Sequence, residues 1–291
     1  MDLDAQGNAS TGLGVPKDER EKSTYDLLTG KASLKDVVKK TNIPSLFIAP
    51  ASTDLSSIDV DLFEEKGRVV KLRDLLAKES FDFDYILIDC PPSLNLLTIN
   101  SMVASNSVLV PLQAEFFALE GLSQLLLTVR DIRSKINQDL KIHGIVLTMF
   151  DKRNNLSEQI EEDVRGNLGE LVYDTVIPRN VRVSEAPSFS MPALIYDHKC
   201  SGAIAYQKLA AEFLKREDHF ERRKNEFKKT DDNSNESLRQ RIRGFRSRLK
   251  HHFTSKTCPI GQHTKPHTMA DHTGEGSSQN RLQTQSIMND H

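Results

Sequence analysis

An α/β protein with a mostly parallel, doubly wound sheet is the fold class that this chain of 291 residues predicts. Short apolar runs alternate with helical patterns from about residue 20 to about residue 215, as in stacked β-α units. The composition, 37% hydrophobic and 27% charged, is that of an ordinary globular protein. No apolar stretch approaches the roughly 18 residues of a membrane-spanning helix, and no secretory signal opens the chain. We therefore expect a cytoplasmic protein.

Five strands carry this prediction, and they fall at Leu46–Ala49, Tyr85–Asp89, Ser107–Leu112, Gly144–Met149 and Val172–Ile177. The run Tyr85–Ile88 is apolar without a break, so we expect it to be central in the sheet and covered on both faces. Six helices are predicted before, between and after the strands, at Ser33–Lys40, Val69–Leu76, Leu94–Ala104, Leu119–Ile136, Leu156–Leu168 and Gly202–Lys215. In the fourth helix, apolar residues recur at spacings of three and four and predict one buried stripe.

The alternation stops near residue 216, which we take as a domain boundary. Residues 217–291 are polar and hold 14 Lys and Arg against 10 Asp and Glu, whereas residues 1–216 hold 25 against 31. Such a tail is predicted to be mostly disordered, because it buries too little apolar surface to offset its ordering entropy. Residues 238–250 form a basic amphipathic pattern. It could dock on nucleic acid, an anionic membrane or an acidic partner, or it could be a solvated charge run.

The cysteines give no support for a disulfide framework or a zinc site. There are three of them, at positions 90, 200 and 258, and they lie far apart with no C-x-x-C pair. The sequence therefore favours neither a small disulfide-stabilised protein nor a thiolate metal centre.

Two acidic motifs indicate chemistry at the ends of strands. Asp89 ends an apolar strand and is followed by Cys90 and two prolines, which delivers a carboxylate to the sheet edge where ligands gather in open α/β folds. A phosphate-bound Mg²⁺ would be held at such a position. At the start of the chain, Asp2 and Asp4 alternate before a loop of small and polar residues that could approach a ligand closely. One carboxylate could contact metal-bound water and the other could orient an attacking water.

These motifs resemble those of the ParA/Soj family of partition ATPases. The likeness spans residues 1 to about 215 in five blocks, D-L-D-A-Q-G-N-A-S-T-G-L-G (2–14), I-L-I-D-C-P-P-S-L-N-L-L-T-I-N (86–100), P-L-Q-A-E-F-F-A-L-E-G-L-S-Q-L-L (111–126), L-T-M-F-D-K-R (147–153) and V-I-P-R-N-V-R-V-S-E-A-P-S (176–188). The resemblance implies a P-loop NTPase-like fold of the SIMIBI type. It also implies a deviant-Walker ATPase that uses ATP and Mg²⁺, dimerises on ATP, binds DNA without sequence preference on the nucleoid and is stimulated by a ParB-type partner.

The resemblance also assigns roles to residues. Asp4 matches the carboxylate tied to water activation, Asp2 the acidic residue beside it, and Asp89 the Walker B aspartate that contacts Mg²⁺, through water. The loop near the adenine is matched by Pro178, Arg179 and Asn180. Arg182 and Lys199 match a basic region associated with DNA contact. Two departures stand out, since Ser201 occupies a position where relatives often carry arginine and Ala5 replaces the usual proline of its motif.

One defining element of the family has no counterpart in this sequence. The Gly-rich phosphate loop with its lysines belongs before the motif that begins at Asp2, and the only partial match, Gly30-Lys31, falls where a helix is expected to end. The chain thus resembles a relative that lacks the first strand and this loop, through a misplaced or truncated start or through degeneration. Without the loop we expect weak ATP binding and loss of ATPase activity, because each charge-assisted bond to phosphate contributes about 1.5 to 3 kcal/mol. The sheet would also expose apolar strand edges, which predicts marginal stability for residues 1–216.

Two other functions stay open at this point. The chain could be a non-catalytic relative that binds DNA or a protein partner through its basic tail. It could also be a MinD-like membrane-associated ATPase with a C-terminal anchor, although the block at 111–126 is typical of partition proteins and makes a membrane partner the weaker expectation.

Overall fold

The computed structural model describes residues 1–78, 83–115 and 118–227, with side chains as far as Phe220. Its helices are α1 (Asn8–Gly12), α2 (Thr24–Thr29), α3 (Leu34–Val37), α4 (Ile58–Asp61), α5 (Lys71–Lys78), α6 (Leu96–Ala104), α7 (Ala118–Lys135), α8 (Asn155–Leu168), α9 (Val181–Glu185), α10 (Ala193–Tyr196) and α11 (Ser201–Phe227). Its strands are β1 (Lys39–Lys40), β2 (Phe47–Ile48), β3 (Ser107–Gln113) and β4 (Lys141–Thr148). Most of the predicted tail, including 238–250, lies outside the described residues.

The N-terminal residues form the middle of a small strand group. Leu3 N donates to Asp89 O at 2.9 Å and Asp89 N donates to Met1 O at 2.8 Å, so these two segments run parallel. On the other side, Asp2 N donates to Ala49 O at 3.0 Å, directly after β2. Three segments that are distant in sequence therefore end at one edge.

A second strand group is built on β3 and β4, which pair in parallel from Ser107 opposite Lys141 to Gln113 opposite Thr148. The far edge of β4 carries short parallel contacts to the segment that follows α8, with Tyr173 N donating to Ile145 O and Ile177 N donating to Leu147 O, both at 2.8 Å. The parallel arrangement confirms the predicted α/β class.

Helix α6 connects the two strand groups and packs on both. Its first turn, with Leu96 and Leu97, belongs to the apolar cluster around Leu3, whereas Met102 and Val103 belong to the cluster around β3, β4 and α7. Asn95 begins the helix by accepting a hydrogen bond from Thr98 N at 3.2 Å. This helix therefore fixes how the strand end at Asp89 sits relative to the larger core.

The predicted helices after residue 68 agree with the structure to within a few residues, except that the last one is extended. Helix α7 buries Leu119, Leu122, Leu126, Val129 and Ile132, which confirms the stripe read from the spacing. Only the final member differs, because Ile136 lies beyond the helix end and is 38% exposed.

Three predicted elements were wrong. The helix expected over Ser33–Lys40 is limited to α3, because Val38 adopts an extended conformation and Lys39–Lys40 pair with Phe47–Ile48 as an antiparallel hairpin. The segment Val172–Ile177 is not a continuous strand, since it touches β4 only through isolated bridges.

The third error concerns Tyr85–Asp89, which was expected to be a covered central strand. Only Asp89 is bridged, and Tyr85, Ile86 and Leu87 are 53%, 44% and 72% exposed. The backbone pairs described for this segment lie on the Met1–Leu3 side, and its apolar side chains are not covered by another described strand. Exposed apolar strand edges were an expectation of the sequence analysis, although a covered central strand was predicted for this segment.

Helix α11 crosses the predicted boundary at residue 216 and continues to Phe227. Glu217 lies beyond that boundary and meets β4, with its Oε2 at 2.9 Å from His143 Nε2 and its Oε1 at 3.4 Å from Lys141 Nζ. His143 is buried and stacks on Phe213 at 4.1 Å between ring centroids. Burial lowers the pKa of His143 although Glu217 opposes the effect. The helix is therefore tied to the sheet by an aromatic and ionic contact.

We expect Leu87→Lys to reduce self-association of the protein while changing the free energy of unfolding by less than about 0.5 kcal/mol, because Leu87 is 72% exposed on an open strand edge. Light scattering during storage and a urea unfolding curve measure the two effects. Val60→Lys is the matched control, since Val60 is 77% exposed on α4 and away from that edge. Equal scattering by the parent protein and the Leu87 variant would contradict the expectation.

We expect Gly144→Ala to destabilise the protein by about 1 to 3 kcal/mol, because a Cβ atom there would stand 2.5 Å from the buried ring of Tyr173 and 3.0 Å from Leu171 O. Gly121→Ala in α7 is the control. A Cβ atom there meets nothing within 4 Å, so we expect a gain of about 0.5 to 1 kcal/mol from the helix propensity of alanine. Chemical denaturation of both variants decides, and equal stabilities would disprove the packing argument.

Candidate nucleotide site at aligned strand ends

Asp2 is fully buried, and its carboxylate organises the loop that follows it. Oδ2 accepts from Ser10 N at 2.8 Å and from Ser10 Oγ at 2.6 Å, while Oδ1 accepts from Asp4 N at 3.1 Å. Ser10 in turn accepts a hydrogen bond from Ala51 N at 3.0 Å. The carboxylate of Asp2 thus ties the loop to the neighbouring strand end, and the implied part of this residue in catalysis stays a prediction.

Asp4 lies two residues further along the chain, where the segment leaves the sheet, and its side chain is only partly buried. Its Oδ1 accepts from Gln6 N at 3.1 Å and its backbone carbonyl accepts from Gly7 N at 2.9 Å, which forms a tight turn. Gly7 has a φ of 67°, a left-handed conformation that favours glycine, and it leads into α1. The turn leaves part of the Asp4 side chain accessible.

Asp89 shares this crevice with both other aspartates. Its backbone pairs with the Met1–Leu3 segment, and the parallel direction of the two chains brings their carboxyl ends to one edge. Partial desolvation raises the pKa of Asp89, and the negative charges of Asp2 and Asp4 raise it further. The residue as a whole remains exposed. The structure therefore brings together the three carboxylates that the sequence singled out.

The donor set of this crevice suits Mg²⁺ only with help from further ligands. The described residues contain no group of three or more His, Cys, Asp or Glu side chains arranged to hold a metal ion. Mg²⁺ in nucleotide sites keeps several waters and takes one or two carboxylates together with phosphate oxygens. The partly exposed Asp89 and Asp4 fit that sparse mode, whereas the side chain of Asp2 is occupied by Ser10 and by Asp4 N.

The loop Pro178–Asn180 lies at the end of β4. Pro178 bridges to Phe150, Arg179 N donates to Phe150 O at 3.0 Å, and Asn180 begins α9 by accepting from Val183 N at 3.3 Å. The helical turn Ala186–Phe189 follows α9 and packs against α1, the helix of the Asp4 loop. The chain thus connects this loop to the aspartate crevice by direct packing, and its contact with an adenine ring stays a prediction.

The two basic residues predicted to contact DNA lie around one carboxylate. Arg182 is exposed and places its Nε 3.7 Å from Asp197 Oδ2 and its Nη1 2.9 Å from Glu185 Oε2. Lys199 is also exposed, and its backbone N donates to Asp197 Oδ1 at 3.1 Å. Ser201 lies nearby and accepts from Asn180 Nδ2 at 2.9 Å. The structure therefore brings Arg182 and Lys199 to one surface without testing their function.

Gly30-Lys31 is no phosphate loop. Gly30 has a φ of 77° and ends α2, with its N–H bonded to Leu27 O at 3.2 Å. This geometry is that of a left-handed helix cap, which confirms the assignment of the pair to a helix end.

Arg20 and Ser10 are part of this site although the sequence did not single them out. Ser10 joins the carboxylate of Asp2 to Ala51, and Arg20 is a buried guanidinium that bonds to the loop between residues 7 and 15. Neither residue carries a sequence signal, because isolated serine and arginine in a polar stretch are ordinary loop residues.

The fold and the crevice define a class of protein, the P-loop NTPases of the ParA and MinD type. Cobyrinic acid a,c-diamide synthase from Mycobacterium smegmatis with bound ATP analog and magnesium superposes with a TM-score of 0.63 at 36% identity, covering 72% of this chain and 78% of the other. The cell division ATPase MinD of Pyrococcus furiosus superposes with a TM-score of 0.59 at 26% identity, covering 74% and 84%. Among the described residues, no helix is long and apolar enough to cross a membrane.

Sequence comparison narrows the class. The AAA domain family matches residues 1–142. The chromosome partitioning protein ParA of Caulobacter vibrioides is 52% identical over 219 residues, which cover 75% of this chain and 82% of the relative. The sporulation initiation inhibitor protein Soj of Bacillus subtilis is 47% identical over 212 residues, covering 73% and 84%. The chain belongs to the ParA/Soj family of partition ATPases, as its motifs indicated.

We expect Asp89→Asn to stabilise the protein at pH 7 by about 0.5 kcal/mol, a small value because the group is partly screened by solvent. The folded pKa of Asp89 is raised, so the cost of its charge appears as the pH rises through that pKa and is absent once the carboxyl is protonated in both states. The gain should therefore vanish near pH 3. Urea midpoints at both pH values measure it, with Asp139→Asn as the control at an exposed site; a gain that is larger in acid would contradict the expectation.

Proposed function

We propose that this protein acts in chromosome or plasmid partition as a nucleotide-dependent DNA-binding protein. In this proposal it forms a homodimer on ATP, associates with nucleoid DNA without sequence preference and is stimulated by a ParB-type centromere-binding partner. The observation that carries the proposal is the alignment of two parallel segments that place Asp4 and Asp89 in one crevice. Family membership, through relatives that are named for chromosome partitioning, supports the biological role.

Within the crevice, the three aspartates are assigned different tasks. Asp4 orients a water molecule and takes up its proton, since it is partly accessible and its backbone is held in a tight turn. Asp89 holds Mg²⁺, through water, and the ion supplies positive charge that offsets the charge of the phosphates. Asp2 supports Asp4 from within, because its carboxylate accepts Asp4 N.

The outer parts of the site are assigned by their position around the crevice. Pro178, Arg179 and Asn180 border the adenine, because they lie at the end of β4 and their loop continues to the turn that packs on α1. Arg182 and Lys199 contact DNA phosphates, and their exposure around Asp197 supports this assignment. Nucleotide binding by this chain is expected to be weak, because the sequence contains no Gly-rich loop with a lysine to hold the phosphates.

The test uses the full chain with long non-specific duplex DNA, with and without Mg-ATP, and measures retention across a salt series. We expect retention that depends on nucleotide, and a double variant Arg182→Ala, Lys199→Ala whose slope of log affinity against log salt is smaller by about 2, one for each lost phosphate contact. Arg130→Ala is the control, since Arg130 is exposed on α7 and pairs with Asp131.

Asp4→Ala provides a second arm of the same test. We expect it to keep nucleotide-dependent DNA retention and to abolish any residual ATP turnover of the parent chain, measured as phosphate release with the ParB-type partner present; without the phosphate loop, we expect the parent turnover to be at or near background. DNA retention without any nucleotide effect, together with no turnover by the parent chain, would refute the ATP-dependent function and leave a non-catalytic binding protein.

A further inference from the structure

Arg20 is a buried cation whose hydrogen-bond acceptors are all neutral. The residue is 8% exposed and follows the short helical turn Lys17–Glu19. Its guanidinium donates to Val15 O from Nε at 3.0 Å and from Nη2 at 2.8 Å, and to Ala51 O from Nη1 at 3.2 Å. Nη2 also donates to Thr11 Oγ1 at 2.7 Å and lies 3.3 Å from Gly7 O. Burying a charge without a directly bonded counter-charge is costly, so its retention calls for a physical reason.

The contacts of Arg20 fall on the two ends of one loop. Gly7 and Thr11 belong to the first part of the loop that carries Asp4, and Val15 belongs to its last part. Thr11 Oγ1 also donates to Gly7 O at 3.1 Å, so the hydroxyl links the guanidinium to the turn after Asp4. The planar fork of arginine can hold several carbonyls in fixed directions, which a lysine ammonium cannot do.

Arg20 and Asp2 both form hydrogen bonds to the same loop, Arg20 to Gly7, Thr11 and Val15 and Asp2 to Ser10. Ala51 links them, because its N–H donates to Ser10 Oγ, which donates to Asp2, whereas its carbonyl accepts from Arg20. A Cβ atom on Gly7 would stand 2.2 Å from Arg20 Nη1, so the guanidinium fills the space that glycine leaves. The buried carboxylate of Asp2 and the buried guanidinium of Arg20 are therefore linked through hydrogen bonds to Ser10 and to the two backbone groups of Ala51.

We propose that Arg20 is a positioning residue that holds the loop of residues 4–15 in one conformation, so that the carboxylate of Asp4 stays beside Asp89. This inference rests on the proposed nucleotide function for its consequence in catalysis, but the positioning itself can be measured without nucleotide. Arg20 acts through the loop and touches neither of the two accessible aspartates.

The experiment is amide hydrogen exchange on the full chain, followed by mass spectrometry of peptides. We expect Arg20→Lys and Arg20→Met to speed exchange in residues 4–15 by about tenfold or more, because the bonds that hold the loop are charge-assisted. Exchange in β4, residues 141–148, should stay within twofold of the parent. A merely general loss of stability would speed exchange in both regions.

Arg216→Met is the matched control. Arg216 also donates to backbone carbonyls, to Glu170 O at 3.1 Å and Val172 O at 2.8 Å, but at the far end of the molecule's second strand group. Its loss should speed exchange near residues 170–172 and leave residues 4–15 unchanged. Unchanged exchange of residues 4–15 in both Arg20 variants would overturn the proposal.

Turnover of Mg-ATP links the positioning to chemistry. Where the parent chain shows residual turnover, we expect Arg20→Lys to lower kcat about tenfold with KM within twofold of the parent, because a displaced Asp4 affects water activation more than binding. An unchanged kcat in a variant with a loosened loop would overturn the catalytic consequence. A parent chain without turnover is the expected result when the phosphate loop is missing, and hydrogen exchange then decides by itself whether Arg20 positions the loop.

Discussion

The parallel pairing of Met1–Leu3 with Leu87–Asp89 is the constraint on which the candidate site depends. Two backbone hydrogen bonds fix the register of this pairing. Because parallel strands end at the same edge of a sheet, Asp2 and Asp89 within the paired segments and Asp4 just after them lie near one another. The apolar side chain of Leu3 is fully buried in the cluster that α6 completes, so the pairing is held by packing as well as by hydrogen bonds. Asp2 and Leu3 point to opposite faces and both are fully buried, so a slip of one residue would move the Asp2 carboxylate into the apolar cluster and Leu3 into the polar surroundings of Ser10.

The buried carboxylate of Asp2 is held by several hydrogen bonds, whereas the carboxylate of Asp89 lies near other negative charges. Asp2 receives hydrogen bonds from Ser10 and from Asp4 N. Burial lowers the pKa of Arg20, and the negative charge of Asp2 opposes this effect. Asp89 has no comparable support and its pKa is raised by its neighbours. A crevice of this kind favours a bound cation, since a positive charge relieves repulsion that the protein alone leaves in place.

The segment Tyr85–Leu87 exposes apolar side chains that its sequence pattern predicts to be buried. An apolar run of this kind suits a strand covered on both sides, yet in the described structure it pairs on one side and exposes its side chains. Helix α6 contributes Leu96 and Leu97 to the apolar cluster beside this segment, and α6 and α7 both contribute to the cluster around β3 and β4. The apolar pattern of this segment predicts a covered strand, but the strand pairing that the structure provides leaves its side chains exposed.

The sequence by itself determined the fold class, α6, α7 and α8, the strands β3 and β4, and the identity of the three aspartates. It could do so because apolar spacing reports which face is buried, and because the three aspartates lie in motif blocks that resemble those of partition ATPases. Only the tertiary structure showed that Asp2 faces inward, that Tyr85–Asp89 is exposed, and that Arg20 and Ser10 hold the Asp4 loop. Those features depend on side-chain contacts that include pairs far apart in sequence, such as Ala51 with both Ser10 and Arg20, and a linear pattern carries no record of such contacts.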